Sequence, residues 1–249
     1  LQALEFCSVV AEKLGAPNET HIGLRDNWAI AFNGIIAAGC PIPDNLTCHP
    51  HTLLFMEAIS KCDEGYSLTQ LDNQRLSIKS GKFKASVPCL DPLLMQNAQP
   101  DPMIASLTNA FKDAVEAVGV LASENAQHVV MASILLKDGS VIATNRKIIY
   151  ECWHGSSMPT LAVPKIFVKM LKGIKNNLIG FGFSNNSLTL WFEHERWLKT
   201  QLYSEEWPDL KNILDLPCND WSVPPEMWKA VSAIKNFSED GWIFSKEGL

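Results

Sequence analysis

The chain has 249 residues, of which 47% are hydrophobic, and its 21 basic and 27 acidic residues give a formal net charge of −6. This length and apolar content allow one large core or two ordinary ones, because domains cluster around about 100–150 residues. The acidic balance argues against a protein that coats nucleic acid with its whole surface, although it is compatible with a local basic face.

Cysteine usage and hydropathy favour a cytoplasmic protein. The seven cysteines are odd in number and scattered, and most lie in apolar stretches. Such a pattern is typical of reduced, buried thiols rather than of a disulfide framework. No apolar run in the sequence approaches the roughly 20 residues of a membrane span. We therefore expect a cytoplasmic protein without a membrane partner.

The first predicted elements are a helix and two groups of strands. Residues 1–14 carry apolar residues at helical spacing, which ends at Gly15 and Pro17. Asn33 and Gly34, between two apolar runs, are a strong hairpin signal. A second helix is predicted over 50–61. Strands are predicted at 21–25, 28–32, 35–40, 66–71, 75–80 and 83–88.

A proline-rich stretch then interrupts the pattern, because proline lacks a backbone donor and disfavours helix in the residue before it. Its prolines are Pro88, Pro92, Pro100 and Pro102. Beyond it, helices are predicted over 103–118 and 164–175. The second set of strands is predicted at 129–136, 140–144, 147–152, 178–183, 187–193 and 196–202. Pro208 and Pro217 mark another linker, after which a helix is predicted over 225–236.

The two halves of this pattern are related by an internal repeat. Asn185, Leu188 and Leu190 repeat Asn73, Leu76 and Ile78, each 112 positions later (185 − 73). Long repeats indicate similar domains placed side by side. We therefore predict domains at 1–92 and 102–209. The segment 243–248 also repeats 134–139, which predicts that 221–249 is the start of a third domain that the sequence cuts short.

The helix over 164–176 carries a row of lysines and no acidic residue. Steps of four, three and three residues keep the lysines on roughly one side, while apolar residues occupy the other. The four are Lys165, Lys169, Lys172 and Lys175. One interpretation is a solvated helix face, which charge runs usually are. The other is contact with the phosphate backbone, which is independent of base sequence.

Two groupings of cysteine and histidine are candidates for a metal site or a catalytic pair. Cys48 and His51 would form half of a metal site, and Cys152 with His154 would pair a thiolate with a base. Neither has further ligands or a Cys-x-x-Cys motif nearby, so we interpret them as buried cysteines and surface histidines. We predict no metal, no cofactor and no catalytic residue. An enzyme that uses Cys or His remains the third alternative for function.

The remaining candidates have structural interpretations. Tryptophans in or beside the closing strands are best explained by core packing, with stacking on nucleic-acid bases as the alternative. They are Trp191, Trp197 and Trp207. Four acidic residues are interpreted as helix-start and surface charges. These are Asp101, Asp113, Glu116 and Glu124.

Three segments resemble a known family. Segment 182–190 with 197–210 is similar to the middle-domain ending of the bacterial-type DNA sliding clamp, the beta subunit of DNA polymerase III. Segment 141–149 is similar to that family's Val-Ala-Thr-Asp-Gly-His-Arg-Leu, and 76–84 to its Arg-Ser-Gly strand turn. The resemblance covers nearly the whole chain and would fit a divergent member, such as one from a phage or prophage.

The resemblance implies an α+β protein with the DNA-clamp (processivity) fold, in which repeated domains combine helices with antiparallel sheets. Six such domains close a ring, with sheets outside and helices around a hole for duplex DNA. It thus implies a non-enzymatic processivity factor that tethers the replicative polymerase. A homo-oligomer of two three-domain chains, or of three two-domain chains, would supply the six domains. The alternative is a clamp-fold module that binds a replication partner without encircling DNA.

The resemblance also implies two sets of site residues. Those predicted to contact double-stranded DNA are Lys165, Lys169, Lys172 and Lys175, with Lys13, Lys61, Lys112 and Lys229 as weaker candidates. In this family, polymerases and clamp loaders bind through short peptides in a groove between the second and third domains. The predicted wall of that groove is Met131, Thr144, Arg146, Lys147, Ile149, Pro208, Asn212 and Ile213. Segment 145–149 (Asn-Arg-Lys-Ile-Ile) departs from the family's Asp-Gly-His-Arg-Leu, which changes the expected peptide.

Overall fold

A computed structural model of the chain describes residues 1–12, 15–63, 65–95, 98–124, 126–214, 224 and 226–234. It divides into two units, 1–207 and 208–249, and each is described by itself. The second unit contains two described helices, α7 (Lys211–Leu214) and α8 (Met227–Ile234). The first unit contains all the other elements.

The first half of the first unit, which ends at Pro88, combines three described helices with six described strands. Its helices are α1 (Gln2–Ser8), α2 (Pro17–Thr20) and α3 (Thr52–Ser60). Its strands are β1 (Gly23–Arg25), β2 (Trp28–Phe32), β3 (Ile36–Pro41), β4 (Ser67–Leu71), β5 (Arg75–Ser80) and β6 (Phe83–Pro88). The hairpin predicted at Asn33 and Gly34 is confirmed: β2 pairs with β3, and Gly34 takes a φ of +94°.

The second half repeats this order. Its helices are α4 (Asn109–Gly119), α5 (Val129–Ala132) and α6 (Lys165–Gly173). Its strands are β7 (Ala105–Ser106), β8 (Ser133–Lys137), β9 (Ser140–Thr144), β10 (Ile149–Trp153), β11 (Leu161–Pro164), β12 (Leu178–Ser184), β13 (Ser187–Phe192) and β14 (Arg196–Gln201).

All the strands belong to three antiparallel sheets. One sheet has seven strands in the order β1-β2-β3-β14-β13-β12-β7, so it takes strands from both halves of the chain. The second has the order β10-β9-β8-β11, and the third has the order β4-β5-β6. The domain boundaries 1–92, 102–209 and 221–249 stay predictions, because the described strands of both halves form one continuous seven-stranded sheet.

The pair β3–β14 joins the two halves, with Ile36 opposite Thr200 and Gly39 opposite Trp197. Gly39 has to be small here because a β-carbon would overlap the indole ring of Trp197. That ring is 1% exposed. Close approach of backbone to a large side chain is one of the reasons for glycine inside a strand.

The helices cover the sheets in two pairs. Helix α1 packs on β2, β3 and α3, and α4 packs on β8, β9, β10 and α6. The pair α4–α6 is tight: a β-carbon on Gly119 of α4 would lie 2.6 Å from Cγ1 of Val168 of α6. The apolar faces of these helices supply fully buried side chains such as Phe111 and Phe167.

The internal repeat is visible in the geometry of equivalent turns. The side-chain oxygen of Asn33 accepts from the backbone N–H of Ile35 (3.2 Å) and Ile36 (2.8 Å). That of Asn145 accepts from Lys147 (3.0 Å) and Ile148 (2.9 Å). The spacing is again 112 (145 − 33), so β10 is the equivalent of β3, and β14 is the equivalent of β6.

Some predicted elements are wrong in extent or type. The helix predicted over 1–14 ends at Ser8. The helix predicted over 103–118 begins at Asn109, because residues before it pair with β12, where the N–H of Ile104 donates to Phe181 (2.8 Å). The start of the strand predicted over 129–136 is the helical turn α5. The elements α2, β7 and β11 were not predicted.

The segment 243–248, which repeats 134–139 in the sequence, lies outside the described residues. Within the described residues, no helix combines the length and the apolar character needed to cross a bilayer.

Candidate nucleic-acid interface

Helix α6 separates an apolar face from a lysine face. Pro164 precedes the helix as its N-cap, a position where a missing N–H costs no helical hydrogen bond. The apolar face is buried and consists of Phe167, Val168, Met170 and Leu171. Lys169 and Lys172 are exposed on the other face, and Lys175 is exposed two residues after the helix ends at Gly173.

These three lysines are not neutralised by the protein itself. Among the described residues, none of them forms an ion pair with a carboxylate. Like charges at one-turn spacing repel, so the face is destabilising until an anion screens it. The arrangement can therefore hold a polyanion without first breaking internal contacts.

Lys165 has a different environment from the other lysines of the row. Its ammonium group donates to the carbonyl of Gly119 at the end of α4, and the side chain is half-buried. Burial lowers its pKa, Glu124 opposes that shift, and Lys172 adds to it. Lys112 of α4 makes the reverse contact, to the carbonyl of Ile174 just after α6. Each lysine thus caps the C-terminal end of the other helix, where cations are favourable.

The weaker lysine candidates are dispersed. Lys61 pairs with Glu57 at 2.5 Å, one turn earlier on α3. Lys229 is exposed on α8 in the second unit. Lys13 lies outside the described residues. The structure therefore brings together Lys169, Lys172 and Lys175.

An open cleft of about 550 Å³ lies where the end of α6 meets α1. A β-carbon on Gly173 would lie 3.4 Å from Cγ1 of Val9, an ordinary contact distance, so the end of α6 lies close to the residue that follows α1. Lys175 lies on its rim, as do His194 and Arg196 from the turn between β13 and β14 and the start of β14. Arg196 was not predicted from the sequence, because a single arginine at the start of a strand carries no periodic signal.

The predicted peptide-groove residues of the first unit cluster around the β9–β10 turn. The hydroxyl of Thr144 donates to the carbonyl of Ile148 (2.7 Å) and accepts from the N–H of Arg146 (3.1 Å). Arg146 adopts a φ of +73° and is exposed, as is Lys147. Ile149 at the start of β10 is half-buried, as is Met131 on α5. Pro208, Asn212 and Ile213 are exposed in the second unit.

The cysteine and histidine groupings do not form reactive pairs. His154 packs edge-on against Phe111 at 5.1 Å, and its Nδ1 accepts from the N–H of Ser156 (3.2 Å). The ring of His51 lies 5.2 Å from that of His21. In the described part of the chain, no thiol is hydrogen-bonded to a histidine ring, and no three potential metal ligands converge.

The tryptophans of the closing strands pack within the protein. Trp197 is buried. The indole N–H of Trp191 donates to the carbonyl of Asp101 (3.0 Å), and that of Trp207 donates to the hydroxyl of Ser133 (3.0 Å). These contacts favour core packing over base stacking. The prediction that Asp101 is a surface charge is wrong, because this side chain is buried.

No model of a known protein family matches the chain, and no curated protein sequence does. Solved structures do match it. The beta subunit from the DNA polymerase of Streptococcus pyogenes superposes with a TM-score of 0.77 at 14% identity, covering 96% of this chain and 73% of that one. The DNA polymerase sliding clamp of Bacillus subtilis gives 0.73 at 11% identity, covering 97% and 72%. The Helicobacter pylori beta clamp bound to a DNA ligase peptide gives 0.68 at 17% identity, covering 88% and 67%.

The fold is that of the bacterial sliding clamp. The predicted α+β clamp fold is thereby confirmed, and the resemblance seen in the three sequence segments extends to the structure. The chain spans about two thirds of the length of other clamp structures, for example 65% of a DNA polymerase III beta subunit from Eubacterium rectale. At 11–18% identity, the match concerns the architecture.

Proposed function

We propose that this chain is a subunit of a DNA sliding clamp, a non-enzymatic ring that encircles duplex DNA and tethers a replicative polymerase. The observation that carries the proposal is the exposed, unpaired lysine face of α6 within a clamp fold. A lysine contacts the charged phosphate and does not distinguish base sequence. A protein that slides along DNA requires contacts of this kind.

The overall charge supports the same function. The chain carries a net charge of −6, while Lys169, Lys172 and Lys175 concentrate positive charge at one helix. An acidic remainder discourages nonspecific binding of DNA elsewhere on the surface. The combination restricts DNA contact to the lysine-bearing side.

The internal repeat suggests how a ring would close. Within one chain β3 pairs with β14, and their repeat equivalents β10 and β6 lie at the ends of their own sheets. Pairing of β10 in one copy with β6 in another would copy the β3–β14 junction. Ala38 lies opposite Leu198 in that junction, so the 112-residue spacing places Tyr150 opposite Ser86. Three two-domain chains joined in this way would supply six domains and complete the ring. In a ring of two three-domain chains, β10 would instead pair with the third domain of its own chain.

The partners follow from the same proposal. A Helicobacter pylori beta clamp has been solved with a DNA ligase peptide bound. We propose that short peptides of a polymerase and a clamp loader bind this chain at the residues around the β9–β10 turn. Ile148 is 56% exposed there and offers apolar surface to such a peptide.

Retention on DNA at high salt tests the ring. The protein is loaded by a clamp loader onto nicked circular DNA, and its retention is followed by gel filtration in about 0.5 M salt. A ring is held topologically and should stay on the circle, whereas linearising the DNA should release it. An open lysine patch would dissociate from both forms, because phosphate contacts weaken steeply with salt.

Light scattering over a concentration series is the complementary measurement. A stable dimer or trimer with six domains is the expected result. A persistent monomer that still binds a replication peptide would contradict the ring and favour the interaction module that does not encircle DNA.

A further inference from the structure

The cleft between α1 and the end of α6 contains a cation that the protein leaves uncompensated. Arg196 is half-buried at the start of β14, and its guanidinium lies 5.8 Å from the centre of the Phe6 ring on α1. Its Nε is buried and has no hydrogen-bond partner among the described residues. Arg196 also forms no ion pair with a described carboxylate.

Two thiols lie beside Arg196 on the protein side. Its guanidinium contacts Cys40 and acts electrostatically on Cys7. Burial raises the pKa of both thiols, so at neutral pH both are uncharged and neither balances the arginine. A half-buried charge without an opposite charge is costly, and this cost is offset when an anion binds.

The rest of the cleft is suited to an anion of phosphate size. Lys175 and His194 lie on the same rim as Arg196, and Asn176 adds an amide. Glu5 is the one carboxylate among the residues that line it. The floor is apolar, because Phe6 packs on Phe192 with ring centres 5.7 Å apart. The volume of about 550 Å³ leaves ample room for one phosphate group.

We propose that this cleft holds a phosphate of the DNA backbone, with Arg196 and Lys175 as its two charged ligands. The proposal rests on the DNA-binding function proposed above and assigns a contact beyond the lysine face. A guanidinium matches the geometry of phosphate oxygens, and packing on Phe6 orders it before the ligand arrives. The site would continue the line of Lys169 and Lys172 from the second half of the chain to α1 of the first.

Single substitutions in the full chain test the site. Affinity for a short linear duplex is measured by fluorescence anisotropy over a salt series. Replacing Arg196 and Lys175 together by Gln should reduce the slope of log affinity against log salt by about 0.9, the value for one lost phosphate contact. Arg196→Gln and Lys175→Gln alone should each produce part of that reduction. Arg196→Lys should keep the slope and weaken binding, because it retains the charge and loses the fork geometry.

The matched control is Lys137→Gln, which removes an exposed lysine from the end of β8, and it should bind DNA as the unmodified chain does. Lys175 is exposed, so its variant keeps the test valid if Arg196→Gln does not fold, which circular dichroism would reveal. If both cleft variants bind normally while Lys169→Gln weakens binding, the cleft proposal is overturned and DNA binding stands.

A second arm identifies the source of the phosphate. Inorganic pyrophosphate is titrated against the unmodified chain and Arg196→Gln by calorimetry. Arg196-dependent binding of pyrophosphate in a chain that does not bind duplex DNA would overturn the DNA assignment, and with it the proposed function. Displacement of pyrophosphate by the duplex, lost in Arg196→Gln, would support it.

Discussion

The carboxylate of Asp101 is the centre of a group of polar contacts on the seven-stranded sheet. It accepts from the hydroxyls of Ser187 (2.9 Å) and Thr189 (2.8 Å) and pairs with Lys199 at 3.3 Å. Its backbone N–H donates to Thr189 (2.9 Å). Asp101 is 7% exposed, so removing it would leave several polar groups without partners. A single residue thus attaches the segment before β7 to β13 and β14.

Asp101→Ala should therefore destabilise the chain by about 2–3 kcal/mol, the usual cost of leaving buried polar partners unsatisfied. Asp101→Asn should cost less, because an amide oxygen still accepts from Ser187 and Thr189. Urea unfolding measures both. Asp113→Ala, at an exposed position of α4, is the control and should stay within about 0.5 kcal/mol. Equal stability of Asp101→Ala and the control would contradict this role.

Histidines in the first half make stability depend on pH. Burial lowers the pKa of His49, and the charges of Arg25 and His21 lower it further, against the opposing effect of Asp91. Burial also lowers the pKa of His21, as does His51, against the carbonyl of Pro17. Both imidazoles are therefore neutral in the folded protein at neutral pH, and protonation favours the unfolded chain.

Because the ordinary pKa of 6.5 applies in the unfolded chain, stability should be full above pH 6.5. It should fall as the pH drops from 6.5 towards the lowered folded values. Thermal melts between pH 7.5 and 5.0 measure this. The variant His49→Gln cannot bind that proton, so its melting temperature should fall less over the same range. Identical pH profiles for the variant and the unmodified chain would refute the assignment.

The contacts of individual residues were the part of the structure least predictable from the sequence. The partners of Asp101 lie 86–98 residues away in the chain, so no local pattern distinguishes it from an exposed helix-start charge. Arg196 was missed for the same reason. The lysine row, in contrast, is a local pattern, and Lys169, Lys172 and Lys175 are exposed as its helical spacing predicted. Lys165 differs because its partner comes from α4.

Among the elements, the junction β3–β14 holds the two halves in one sheet. Four residue pairs form it, and Gly39 makes room for the Trp197 ring. Trp28 lies against the same ring, with centres 6.5 Å apart. At the junction, the large ring of Trp197 therefore occupies the space that Gly39 leaves free because it has no side chain.

Gly39→Ala should destabilise the chain by about 1–3 kcal/mol, because an added methyl group in a packed site forces its neighbours to shift. The cost should shrink in the background of Trp197→Leu, which frees space at the same point. A double-mutant cycle by chemical unfolding measures this coupling. Gly34→Ala cannot serve as a steric control, because Gly34 has a positive φ. Ala37→Gly is the control instead, and it tests the effect of strand propensity alone. Additive effects of Gly39→Ala and Trp197→Leu would contradict the match.

Elements with strong local signals were predicted well from sequence. Strands β2, β5, β9 and β13 occur where alternating or apolar runs predicted them. The two-residue strand β7 and the strand β11 have no such signal, since they exist only through pairing with β12 and β8. The residues before Asn109 have helical spacing, but their hydrogen bonds to β12 prevail over that local preference.

The whole molecule combines an acidic total charge with one unpaired lysine face. The repeat, which the sequence showed through three matched residues, places equivalent helices and strands in both halves. The clamp fold was predictable because turn and strand segments keep family resemblance even at 11–18% identity. The proposed assembly would depend on surfaces between chains, which helix and strand patterns do not predict.

Replacing Lys169, Lys172 and Lys175 together by Gln should reduce the salt slope of duplex binding by about 2.7, if each contacts one phosphate. Anisotropy at several salt concentrations measures the slope. The matched control replaces three other exposed lysines, Lys79, Lys82 and Lys137, and changes the net charge equally. Equal slopes for the two triple variants would show that total charge, and not this face, governs binding.

The proposed junction between chains can be tested by charge at the positions predicted to face each other, Tyr150 and Ser86. Tyr150→Lys combined with Ser86→Lys should prevent assembly, because like charges directly opposite across strands repel. Tyr150→Glu combined with Ser86→Lys should assemble. Light scattering reports the mass of each double variant. Normal assembly of the Lys–Lys variant would exclude this register.

The pairing of β3 with β14 also has a mechanical consequence. A continuous backbone ladder crosses from one half of the chain to the other, so the two halves cannot swing apart without breaking hydrogen bonds and exposing Trp197. The two halves therefore do not hinge about their connection, despite its prolines. If the chain forms a ring, the contacts that break most easily lie between subunits, and the ring would open there to admit DNA.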